Sequence, residues 1–247
     1  MASITLSLVA FVFILCGALV GIFLRAKLPE HHLSTESRSV VTMGIGLVGT
    51  MSALVLGLLV SSAKGFYDMQ NTELTQMSAN IMLLDRFLVH YGPEAKEVRS
   101  ALRENVGQVL QQAWSNEHAK TLAMANGENV YEKIEDLTPK DDTQRALKSQ
   151  AISIAVGLGS TRWLMFAQSA SSIPIPLLVI VIFWLTIIFT SFGLYAPTNG
   201  TVVTSLLVSA LSVSCAILLI LEMYRPFHGL IQVSKAPLQL AFERLGQ

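Results

Sequence analysis

From Ser39 to Ala63 the chain runs for 25 residues without a charged side chain, more than the roughly 20 apolar residues a helix needs to cross a bilayer core. The stretch predicts a membrane span. Within it Gly46, Gly49, Ala53 and Gly57 recur at helical spacing, and small residues let another helix approach closely where lipid gives no hydrophobic drive. That stripe predicts packing against protein. The opposite strip reads Met43, Leu47, Thr50, Met51, Leu54, Leu58 and Ser61, an apolar row with hydroxyls at intervals. Such a strip either faces lipid or lines a narrow pore whose apolar rings gate by dewetting.

Two further regions are as poor in charge. Residues 1–24 carry none, and they lack the basic start of a secretory signal while exceeding its apolar length, so they read as a retained first span. Arg25 and Lys27 stop that run, and a polar loop with His31-His32 follows. No third ligand stands at metal-binding spacing from the two histidines, so the loop reads as solvated. From Trp163 to Leu221 there is again no charge in 59 positions, room for two spans and a turn. Ile173-Pro174-Ile175-Pro176 marks the entry and Ala196-Pro197-Thr198-Asn199-Gly200 the turn, because Pro and Gly punctuate helices.

Between these hairpins the character changes. Lys64 to Arg162 holds 11 basic and 13 acidic residues, so this segment belongs in water. Phe66, Leu74, Met77, Ile81, Leu84 and Leu88 fall largely at three- and four-residue steps, an amphipathic seam that continues the second span with only Gly65 in the path. Gly92-Pro93 ends that helix, and Val98, Leu102, Val106, Val109 and Ala113 give the next its apolar face. Asn126-Gly127 breaks the pattern before a short helix with Val130, Tyr131, Ile134 and Leu137. A last helix from about Lys140 carries Leu147, Ala151, Ile154 and Leu158 back toward the membrane. No β-alternation occurs.

The expected fold is therefore all-α: a polytopic membrane protein with four transmembrane helices and a helical cytoplasmic domain inserted between the second and third. Residues 1–63 form the first hairpin, with spans at about 4–24 and 41–63. Residues 64–162 form the helical domain, 163–225 the second hairpin with spans at about 176–195 and 201–221, and 226–247 a tail. Overall 52 % of residues are hydrophobic and 14 % charged, against about 25 % charged in soluble domains. Basic and acidic residues cancel at 17 each, which gives no reason to expect nucleic acid as a partner. Cys16 and Cys215 lie in apolar runs and read as small buried hydrophobes. Lys64, Arg162, Arg225, Lys235 and Arg244 on one side outnumber Arg25, Lys27 and Arg38 on the other. This places the helical domain and both termini in the cytoplasm by the positive-inside rule.

Enzymatic chemistry finds no purchase: there is no phosphate loop, zinc-spaced set, nucleophile elbow or paired intramembrane carboxylate, so no catalytic residue, metal or cofactor is expected. Glu222 and Arg225, spaced i,i+3 at the membrane edge, read either as a local ion pair or as part of a gate or interface.

Three blocks carry a resemblance. Ala53 through Asp68, Phe183 through Asn199, and Glu222 through Leu238 with its Pro226-Phe227-His228-Gly229 and Ser234-Lys235-Ala236-Pro237 resemble the recurring blocks of the bacterial bestrophin-like domain family. The resemblance implies similarity to bestrophins, homopentameric chloride channels with four spans per subunit and a helical cytosolic region between the hairpins. It implies a bacterial inner membrane protein that assembles with itself, as a pentamer in that family, and passes chloride or another small anion. Along the second span this chain has Gly, Met, Leu and Thr where bestrophins place rings of Phe and Ile. The expected function is a homo-oligomeric anion channel with the second span around the axis, and with Lys64 forming a basic ring at its mouth. The alternative is a non-conducting scaffold that recruits a partner through the helical domain, favoured by the absence of ionisable groups within the spans. A motor-stator-like subunit shares only the architecture.

Overall fold

The computed structural model describes residues 2–29, 34–112, 127–169, 174–197 and 199–246. His31, His32, Ala113, Asn126, Ile173 and Thr198 lie outside them. Every regular element among the described residues is a helix: α1 Ala2–Lys27, α2 Thr35–Tyr91, α3 Lys96–Gln112, α4 Gly127–Glu135, α5 Asp142–Ser169, α6 Ile175–Tyr195, α7 Gly200–Met223 and α8 Ala236–Arg244, with one 3-10 turn at Pro93–Ala95. α1, α2, α6 and α7 are long and apolar enough to cross a membrane, and in lipid a helix is the element that satisfies every backbone group internally.

The chain forms two compact units, Met1–Gly65 with Ser172–Tyr224, and Phe66–Ser171 with Arg225–Gln247. α2 contributes its first part to one and the remainder to the other. It passes through Gly65 without a break, since one glycine costs only about 1 kcal/mol against alanine within a helix. The domain boundary expected after Arg162 falls inside α5, which continues to Ser169. There Met165 packs on the core of the second unit.

In the first unit α1 lies against α6, and glycines set the crossing. A Cβ on Gly21 would stand 1.9 Å from the Thr190 carbonyl oxygen, and one on Gly193 would stand 2.2 Å from that of Ala18. Only hydrogen fits, the close approach that small residues permit in lipid. Ile14, Ala18, Leu59, Val181, Leu185 and Phe189 fill the core beside this crossing. The Ser214 hydroxyl donates to the Ser7 carbonyl at 2.7 Å, tying α7 to α1. The Arg25 guanidinium donates to the carbonyl of Ala196 just past the end of α6, where unsatisfied carbonyls favour a cation. Asn199 caps α7 by accepting from the Val202 amide at 2.8 Å. Cys16 and Cys215 are free and exposed rather than buried. A membrane helix has no need to turn its apolar side chains inward, so an apolar run alone does not bury a cysteine.

In the second unit Leu74, Met77, Ile81, Leu84 and Leu88 of α2 are buried with Val98, Leu102, Val106 and Val109 of α3. Val130, Ile134 and Leu137 join from α4 and its end, and Leu238, Ala241 and Leu245 from α8 and its end. α2 stops where Gly92 takes φ 122°, a backbone conformation that side chains strongly disfavour, and Pro93 opens the following turn.

Candidate functional site

α2 presents its first half in three longitudinal faces. Helical spacing sets Val48, Ser52, Val55, Leu59 and Ala63 on one of them, and Ser52, Leu59 and Ala63 are buried against the rest of the first unit. The Ser52 hydroxyl is satisfied within the helix by the Val48 carbonyl at 2.8 Å.

Nearly opposite runs the strip expected from the sequence. Met43 is 72 % exposed, Leu47 60 %, Leu54 74 % and Leu58 60 %, with Met51 also exposed. Thr50, Ser61 and Lys64 are exposed on the same length of helix, and the Thr50 hydroxyl bonds back to the Leu47 carbonyl at 2.8 Å, leaving the strip apolar. Between these two faces lie Gly46, Gly49, Ala53 and Gly57. A Cβ on Gly46, Gly49 or Gly57 would meet nothing within 4 Å, and Ala53 is exposed. Among the described residues of a single chain, nothing packs on the glycines of this stripe. The crossing that the chain does make uses Gly17, Gly21 and Gly193, which the sequence reading overlooked although Gly17 and Gly21 stand four apart.

Only 11 % of the most apolar window of α2 is buried, against 22 to 39 % for α1, α6 and α7. α2 is thus the span that the described residues of its own chain cover least. Glu222 is buried near the end of α7, and Arg225, just past that end, is exposed.

The second unit contains buried polar groups that the apolar seam concealed. Gln70, fully buried, donates through Nε2 to Gln168 Oε1 at 2.6 Å, and Gln168 Nε2 donates to Glu73 Oε1 at 3.0 Å. Gln70 sits four residues before Leu74 and seven before Met77, on the seam itself, so a polar residue in an apolar register was the available signal. Asp85, 4 % exposed, is gripped by Arg99 through Nε at 2.7 Å and Nη2 at 3.1 Å. That paired carboxylate raises the arginine's pKa. Burial instead lowers the pKa of Arg162, which reaches Asn105 Oδ1 at 3.4 Å.

Four membrane-length helices, a charged helical unit and one helix shared between them define a polytopic all-helical membrane protein. The bestrophin-like domain model matches residues 12–238, and the chain belongs to that family. Its structure is similar to a crystal structure of a bacterial bestrophin homologue from Klebsiella pneumoniae carrying a point mutation. The two align with a TM-score of 0.59 over 96 % of this chain and 97 % of that one, at 13 % sequence identity. No curated protein matches by sequence.

Proposed function

We propose that the protein is a homo-oligomeric membrane channel for small anions, built around the exposed strip of α2. The observation that carries this reading is the face pattern of α2: a membrane-length helix covered on one side by its own chain, with a bare glycine stripe and a bare apolar strip on the others. Lipid supplies no drive to hold such stripes together, but close packing of a second copy on the glycines does. Assembly about an axis then turns Met43, Leu47, Leu54 and Leu58 into successive apolar rings, a gate that opens by wetting. Lys64, one turn beyond Ser61, adds a ring of positive charge that concentrates anions at the mouth. Family membership supports the channel class, and the resemblance to bestrophins supports a pentamer and chloride. The resemblance supports a bacterial inner membrane location, and the positive-inside count supports placing the second unit and both termini in the cytoplasm.

Currents across planar bilayers containing the purified protein under a KCl gradient test this. A reversal potential near that of chloride is expected, and Leu54→Ser or Leu58→Ser raises the conductance by hydrating its ring. Unchanged conductance in both variants refutes the assigned lining. The scaffold reading draws on the strip itself, which offers no ionisable group from Met43 to Ser61. A silent bilayer from a verified oligomer favours it.

A further inference from the structure

We propose that the second unit holds a binding site for a soluble organic anion, an apolar body bearing a phosphate or carboxylate, in the cavity between α2 and α8. The cavity measures about 380 Å³ and is lined by Met82, Asp85 and Arg86 from α2 and by Leu240, Arg244 and Leu245 from α8 and its end. This volume lies toward the lower end of the range for small-molecule pockets.

Charge decides the ligand class. Asp85, the one acidic group in the lining, is already held by both contacts of Arg99, which does not line the cavity. Arg86 and Arg244 are exposed and make no hydrogen bond or ion pair among the described residues. Arg86 and Arg244, one from each helix, therefore line a single cavity, each without an ion-pair partner of its own among the described residues. An anion supplies both with a counter-charge, and the planar fork of arginine suits a phosphate or carboxylate through paired hydrogen bonds. Met82, Leu240 and Leu245 offer the remaining wall to an apolar group.

The cavity is preformed. Leu238, Ala241 and Leu245 are buried in the core, so α8 is fixed without a ligand. Arg103 donates to the Leu245 carbonyl at 2.7 Å, and its guanidinium lies 5.2 Å over the Phe242 ring. Walls that need no ordering leave more of the contact energy for binding.

The test is isothermal titration of phenyl phosphate into the full chain in phosphatidylcholine nanodiscs. Saturable binding is expected, weakened about tenfold by R86Q and about tenfold by R244Q, as befits charge-assisted hydrogen bonds. Inorganic phosphate, which lacks the apolar body, binds more weakly than phenyl phosphate. R145Q, an exposed arginine on α5 paired with Asp142, leaves affinity unchanged. No binding by the wild type, or equal affinity in the R86Q/R244Q double variant, overturns the site. Loss of phenyl phosphate binding when phosphatidic acid is added to the discs overturns the soluble assignment in favour of a lipid headgroup. The readout is heat, not current, so a silent channel does not bear on it.

Discussion

Replacing Gly21 by alanine separates the glycines that hold the chain together from those that face outward. The new Cβ would stand 1.9 Å from the Thr190 carbonyl oxygen, where ordinary contact begins at 3.4 Å, so α1 and α6 must part by the difference of 1.5 Å. The atom in the way is backbone, which cannot rotate aside as a side chain would. The cost falls at the upper end of overpacking, about 3 kcal/mol. Alanine's better helix propensity returns about 1 kcal/mol, for a net loss of about 2 kcal/mol. Gly49→Ala is the matched control, because its Cβ meets nothing within 4 Å in the same chain. It should be neutral or stabilising by up to about 1 kcal/mol. Equilibrium unfolding by SDS titration in mixed micelles, under conditions where the chain is monomeric, reads both. G21A as stable as wild type, or G49A as damaging as G21A, refutes the assignment of the packing to Gly21. Under milder detergent the order reverses for assembly: G49A loses oligomer on size-exclusion chromatography while keeping its fold.

Removing the charge of the buried Asp85 by D85N replaces the carboxylate that Arg99 grips through two bonds and costs about 3 kcal/mol, seen as a lower thermal midpoint; a midpoint within error of wild type contradicts it. Gly92→Ala forces a side chain into φ 122° and costs about 1–3 kcal/mol, whereas Gly65→Ala, with open space around it, does not destabilise. The Lys140 ammonium beside Glu94 holds its carboxyl below the ordinary 4.5. A depressed folded-state pKa contributes stability above 4.5 that is lost as pH falls through the folded value. E94Q should therefore flatten the decline of the thermal midpoint below about pH 4.5; parallel profiles for variant and wild type rule this out.

What could be read from the chain followed from strong, local physics. Absence of charge over a bilayer's length predicts a helix because only a helix satisfies the backbone within a single segment in lipid, and α1, α2, α6 and α7 stand where those runs lie. The seam from Leu74 to Leu88 lies in the core as its spacing predicts, and Gly92-Pro93 ends α2. The partners of each face were not legible. Gly17 and Gly21 on α1 have the same four-residue spacing as Gly49, Ala53 and Gly57 on α2, yet only the first pair meets a helix of the same chain. Spacing reports that a face can be approached closely, not what approaches it. Asp85 and Arg99, fourteen residues apart on different helices, are joined only by the turn at Gly92, so their pairing waits on the tertiary fold.

The two edges of the α2 strip differ, and the difference bears on how copies would meet. On one edge Gly46, Gly49, Ala53 and Gly57 leave a shallow channel; on the other Met51 projects as exposed bulk. A two-fold contact brings like edges together, glycine against glycine or bulk against bulk, and leaves one kind unmatched. A head-to-tail contact sets the bulky edge of one copy into the channel of the next and repeats until the ring closes. Every copy then uses both edges, the buried face stays with its own chain, and the strip from Met43 to Ser61 is the one surface left for the axis. Size asymmetry across a single helix therefore favours a closed ring over a dimer. Filling the channel tests it: G49M should abolish assembly while the monomer keeps its fold, because the channel that receives the next copy's Met51 is then closed; a G49M variant that still assembles refutes the head-to-tail contact.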